Sequence, residues 1–132
     1  MKKVTAVLLK HNGKLLIAKR DEQRELGNLW EFPGGKIEQG ETPEECLTRE
    51  IKEEFQITIK VEEYYDESIY EYEFGSIHLL VYWASWIDGK ISATEHEDYK
   101  WVTVGELHNF NFAPADIPIV ERLRREENEF SA

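Results

Sequence analysis

The chain has 132 residues and a formal net charge of −11. That length suits one domain, 1–132, around one core, and the acidity opposes duplex nucleic acid, whose binding needs many Lys and Arg contacts to phosphate. No apolar run reaches bilayer length, Met1-Lys2-Lys3-Val4 lacks a secretory apolar region behind it, and the single Cys46 leaves no intrachain disulfide.

These features predict a cytoplasmic location with no membrane partner, and they leave the oligomeric state open. The acidity does not oppose a small nucleotide, whose phosphates a metal ion can neutralise.

In chain order, Thr5-Ala6-Val7-Leu8-Leu9 and Leu15-Leu16-Ile17-Ala18 read as strands. Asn12-Gly13 between them marks a hairpin turn. Lys19-Arg20 closes the second strand, residues 21–28 form a polar loop, and Leu29-Trp30-Glu31-Phe32-Pro33 runs extended into Gly34-Gly35. A helix follows. Thr42 caps it, Pro43 takes its first position, and Glu45 completes a Thr-x-x-Glu capping box. Leu47, Ile51 and Phe55 make its apolar stripe.

Ile57 to Val61 is a predicted strand, and Tyr64 to Phe74 and Ile77 to Trp86 form a hairpin around Gly75-Ser76. Asp88-Gly89 is a turn, and Glu95-His96-Glu97-Asp98 an acidic loop. Trp101 to Val104 is a short strand, with a brief helical turn from Gly105. A final helix opens at Ala115, with Val120 and Leu123 inward, and the charged tail from Arg124 to Ala132 frays.

The chemistry gathers on the first helix. Glu50, Glu53 and Glu54 stand at i, i+3 and i+4 and share one side. Like charges at that spacing cost about 0.2–0.5 kcal/mol per pair. Glu54 also borders the apolar stripe, where a carboxylate needs a partner. A hard divalent cation answers both problems. A solvated acidic face is the plain alternative for such a run taken alone.

Gly35, five residues, Glu41, seven residues, Arg49-Glu50-Ile51-x-Glu53-Glu54 and then Ile57 resembles the Nudix box. One position departs from it: Gln56 stands where the family usually has glycine, just past the helix, at a place that favours a left-handed backbone. The resemblance extends through Lys19-Arg20, Trp30 to Gly35, the Glu95 loop and Phe112 to Pro118. Those stretches are similar to MutT-like nucleoside triphosphate pyrophosphohydrolases. Ala113-Pro114-Ala115-Asp116-Ile117-Pro118 looks closest to the CTP pyrophosphohydrolase type within that branch, beside the 8-oxo-dGTP diphosphatases.

The resemblance implies an α+β Nudix fold, a mixed sheet sandwiched between helices (α/β/α). It implies cleavage of a nucleoside triphosphate to a monophosphate and pyrophosphate with Mg²⁺, for which Mn²⁺ can substitute. Glu50, Glu53 and Glu54, with the Gly35 carbonyl, are the candidate metal ligands; Glu95 is a fourth ligand or a base, a place Glu97 can take instead, or a solvated loop residue; Arg49 orients a carboxylate. Arg20 is a candidate phosphate contact, or an exposed strand-end arginine. Phe32 stacks on a base, lines its pocket or fills the core. Asp116 accepts a hydrogen bond from a base amine, which favours cytosine, or caps the last helix. MutT-like enzymes acting on oxidised guanine carry asparagine at that place. The alternatives are a Nudix hydrolase of another nucleoside diphosphate-linked substrate and an inactive nucleotide-binding module. His11, His78, His96 and His108 show no metal spacing and read as structural or surface residues.

Overall fold

Four successive residues, Ala6, Val7, Leu8 and Leu9, are fully buried. Successive strand residues point to opposite faces, so β1 (Lys2–His11) must be covered on both. The computed structural model describes residues 1–93 and 96–131, the side chains of residue 97 and residues 128–131 excepted. β1 lies at the centre of a mixed sheet. It pairs in parallel with β6 (Gly75–Gly89), and antiparallel with the hairpin partner β2 (Lys14–Arg20) and with β4 (Gly34–Lys36). β5 (Ile57–Tyr72) lies outside β6; β3 (Trp30–Glu31) and β7 (His96–Val102) both pair with β2.

One helix covers each face. Leu47, Ile51 and Phe55 of α1 (Pro43–Phe55) pack with Val7, Leu9 and Leu16. Ile119, Val120 and Leu123 of α2 (Ile117–Ser131) pack with Ala6, Leu8 and Ile17. This is the expected α/β/α sandwich. Among the described residues no helix is long and apolar enough to cross a membrane.

The local signals hold where chemistry is local. Asn12 and Gly13 both have positive φ, at 52° and 76°. Thr42 and Glu45 form the capping box in both directions. Gln56 takes the left-handed conformation at φ 64°.

Four expectations fail, and for His96 to Asp98 and the end of the last helix the cause is a distant partner. His96 to Asp98 is not loop but the start of β7, because β2 offers it an edge. The strands either side of the Gly75 turn are longer than expected: β5 is continuous from Ile57, and β6 runs on to Gly89. A 3-10 turn, Pro114–Asp116, precedes α2, which starts at Ile117 rather than Ala115. Helix continues past Arg124 to Ser131 instead of fraying. It is tied to β5 by Arg122, which donates to Tyr65 O at 2.8 Å and pairs with Asp66 at 3.1 Å, and by a bond from the Tyr65 hydroxyl to Glu126.

Candidate active site

Two glycines bring the backbone against α1. A Cβ on Gly34 would stand 1.9 Å from Thr5 O, so only glycine lets β4 lie this close to β1. A Cβ on Gly35 would stand 2.2–2.6 Å from the Glu50 carboxyl atoms. The carboxyl occupies the space that any other residue would fill. The Gly35 carbonyl accepts from Thr5 Oγ1 at 3.1 Å, with Cys46 Sγ at 3.5 Å. Cys46 is fully buried, and burial raises its thiol pKa.

Arg49 is the electrostatic hub. It grips Glu41 through two nitrogens, at 2.6 and 2.9 Å, and reaches Glu50 at 2.9 Å and Glu53 at 3.4 Å. A fifth bond, 3.2 Å long, goes to Lys36 O across the glycine strand. A bidentate guanidinium–carboxylate pair fixes orientation as well as charge. The Arg49 bond is the main reason the Glu41 pKa falls to about 2. Glu50 moves the other way: burial raises its pKa, and Arg49 offsets only part of that. Glu50 also hydrogen-bonds Glu54, which is 5% exposed at the edge of the apolar stripe.

The opposite wall comes from β2, β3 and the turn before α2. Arg20 donates from Nη1 to Glu31 Oε1 at 3.0 Å and from Nε to Glu25 O at 2.8 Å. It is therefore held, not a loose surface arginine. Phe32 is 2% exposed, and its ring lies 5.3 Å from that of Phe112, so the ring belongs to the core. Its backbone N–H donates to Asp116 Oδ1 at 3.1 Å. Asp116 thus spends its side chain across the fold on the residue that follows β3, not as the cap of α2. It is 5% exposed; burial first, and the charge of Glu31 second, push its pKa well above the usual carboxylate range.

Both walls line a single cleft of about 510 Å³. Arg20, Phe32, Gly35, Arg49, Glu50, Glu53, Glu54 and Asp116 all border it. Every site residue expected from the sequence is brought there except Glu95, which lies outside the described residues, as does the side chain of Glu97. The donor set suits a hard divalent cation: carboxylate oxygens on a rigid helix beside a main-chain carbonyl. Among the described residues no three His, Cys, Asp or Glu side chains converge as a finished cage. Glu50 and Glu53 face Arg49 instead.

A family description, the NUDIX domain, matches residues 1–123. The chain belongs to the Nudix family. It is 36% identical over 121 residues to the CTP pyrophosphohydrolase of Escherichia coli K12, covering 92% of this chain and 90% of that one. It is 32% identical over 123 residues to the 8-oxo-dGTP diphosphatase of the same organism, at 90% and 92% coverage. Among solved structures, the E. coli ORF135 protein superposes with a TM-score of 0.79 at 36% identity, over 92% of this chain and 86% of that one. The MutT protein of Methanosarcina mazei Go1 gives 0.86 at 22% identity, over 96% and 94%, a likeness of fold.

Sequence reasoning missed the part that three residues play around this cleft. Glu41 appeared only as a spacing mark in the box, yet it is Arg49's bidentate partner. Glu31 was read as part of an extended run. Its alternation with Phe32 gave no hint that one carboxylate joins Arg20 to a histidine. Of the two readings given to His96, structural or surface, its side chain takes the first, buried against Glu31, a partner the sequence did not point to.

Proposed function

We propose that this Nudix domain, spanning 1–132, is a metal-dependent nucleoside triphosphate pyrophosphohydrolase that releases a nucleoside monophosphate and pyrophosphate, with (d)CTP or a modified or oxidised nucleotide as substrate. The observation that carries the reading is the cleft itself. It sets the Glu50, Glu53 and Glu54 face of α1 opposite Arg20 and Asp116. The functions named for the two E. coli relatives support the same reading.

Glu50, Glu53 and Glu54 would hold Mg²⁺, or Mn²⁺ in its place, with Glu95 and the Gly35 carbonyl as further oxygen donors. Such an ion supplies charge against the polyphosphate and eases deprotonation of an attacking water. Arg49 keeps Glu50 and Glu53 on one side of the helix while Glu41 holds Arg49. Arg20 offers a fixed cation to a phosphate. Phe32 contributes its N–H, which orients Asp116, more than its ring. Asp116 meets the base. When ionised it accepts from the cytosine amine; when neutral it both donates and accepts, as an amide does.

The deciding experiment is pyrophosphate release across a panel of normal and oxidised triphosphates with Mg²⁺. Fastest cleavage of CTP, dCTP or an oxidised triphosphate is expected. Nucleotide binding without release on any member would make the chain an inactive binding module. Cleavage confined to dinucleoside polyphosphates or nucleotide sugars would place it elsewhere in the family.

A further inference from the structure

β7 does not pair regularly with β2. Lys19 faces Asp98 and Arg20 faces His96, so β7 advances two residues while β2 advances one. A bulge of this kind re-aims a side chain. In a regular strand His96 and Asp98 would share a face. Here the Asp98 side chain is 51% exposed and that of His96 only 1%.

The turned-in imidazole has a built seat. It stacks on Phe55, the last residue of α1, at 5.5 Å and 14°. Its Nε2 lies 2.8 Å from Glu31 Oε2. Its Nδ1 is buried with no hydrogen-bond partner among the described residues. A proton on Nδ1 would bury an unsatisfied N–H, so the ring proton belongs on Nε2, which donates to Glu31. The other oxygen of Glu31 accepts from Arg20. Burial works against an ionised Glu31, yet the His96 bond and the Arg20 charge hold its pKa below the usual value.

We propose that His96 is a positioning residue: by donating to Glu31 it fixes the carboxylate that aims Arg20 into the nucleotide cleft. A carboxylate bonded at one oxygen only can swing about its last torsion; bonded at both, it has one orientation. The effect falls on binding, because Arg20 stands on the wall opposite the glutamates of α1. The inference rests on the reading of the cleft as a nucleoside triphosphate site.

His96→Phe keeps a ring against Phe55 and removes the donor; His96→Gln restores a donor. The steady-state rates on the fastest triphosphate of the panel are the first readout. His96→Phe is expected to raise KM about ten-fold with kcat within two-fold of wild type, and His96→Gln to recover most of that loss. In a Glu31→Gln background His96→Phe should add nothing. An unchanged KM in a folded His96→Phe, or a fall in kcat alone, overturns the proposal. If His96→Phe melts out, Glu31→Gln decides, and an unchanged KM there overturns it equally.

The second readout needs no turnover. The Arg20 Nε–H resonance should be sharp in wild type and His96→Gln, and broadened or shifted in His96→Phe. An identical resonance in all three overturns the proposal. If no triphosphate is cleaved but this signal responds as expected, the functional reading fails and the positioning role stands.

Discussion

A methyl group placed on Gly35 would stand 2.2 Å from the carboxyl carbon of Glu50. The clash is with the end of a side chain, which can swing away, so the fold should survive Gly35→Ala while Glu50 is displaced. Turnover should fall by about 100-fold or more, the scale expected when charge stabilisation is lost. Melting temperature should change little. Gly34→Ala provides the contrast, because its Cβ meets backbone, 1.9 Å from Thr5 O. It should destabilise the protein and lower the yield of folded material. Equal melting of both variants with wild-type activity would contradict this account of the glycine pair.

Metal removal should stop the reaction. Excess EDTA is expected to abolish turnover, and Mg²⁺ or Mn²⁺ to restore it. An ion that binds only the native state also stabilises it, by about 2.7 kcal/mol at one hundred times its dissociation constant. Calorimetry with and without the ion measures that shift. Glu53→Gln and Glu54→Gln should each lower kcat by about 100-fold or more and shrink the metal-induced rise in melting temperature.

Asp116 carries a dependence on pH in both binding and stability. Burial and Glu31 raise its native pKa above the unfolded value. Between those two values the native state binds more protons, so stability falls as pH rises through that window. Asp116→Asn removes the titration. The variant should gain melting temperature relative to wild type as pH increases, with the difference smallest near pH 4. In wild type, preference for CTP over UTP should grow with pH, as the neutral carboxyl gives way to the acceptor-only form. Asp116→Asn should flatten that trend and improve use of 8-oxo-dGTP. An unchanged ranking in a normally melting variant would remove Asp116 from base recognition.

Gln56 tests a purely conformational cost. Its φ of 64° is one that glycine adopts freely and a side chain does not. Gln56→Gly should stabilise the protein by about 1 kcal/mol, less the bond from Gln56 Nε2 to Glu53 O at 3.2 Å. A rise of roughly 2–5 °C in melting temperature is the expected scale. Gln56 does not line the cleft and touches it only through the main-chain carbonyl of Glu53, so kcat and KM should remain as they are.

The capping box, the Asn12-Gly13 turn and the left-handed Gln56 were legible because each depends on neighbours in the chain. The glutamate face was legible because helical spacing brings i, i+3 and i+4 together without help from the rest of the fold. His96 was not. Its run of polar residues reads as loop, and the bulge that turns it inward exists only once β7 has paired with β2. Asp116 was singled out in the sequence, but its hydrogen bond across the fold was not legible there. Its partner is the N–H of Phe32, a backbone group that leaves no trace in side-chain chemistry. Glu126 looked like part of a fraying tail because its partner, Tyr65, lies on a strand far back in the chain.

The two walls of the cleft are encoded separately. One is written in a single uninterrupted stretch, β4 and α1, where Lys36, Glu41, Glu50 and Glu53 are all tied to Arg49. The other is assembled from β2, β3, the β5–β6 hairpin and the Pro114–Asp116 turn. On the proposed reading, substitutions that retune which nucleobase is accepted can therefore accumulate on either side of that stretch while the stretch itself is inherited unaltered. A lineage with this architecture can change diet without relearning how to digest.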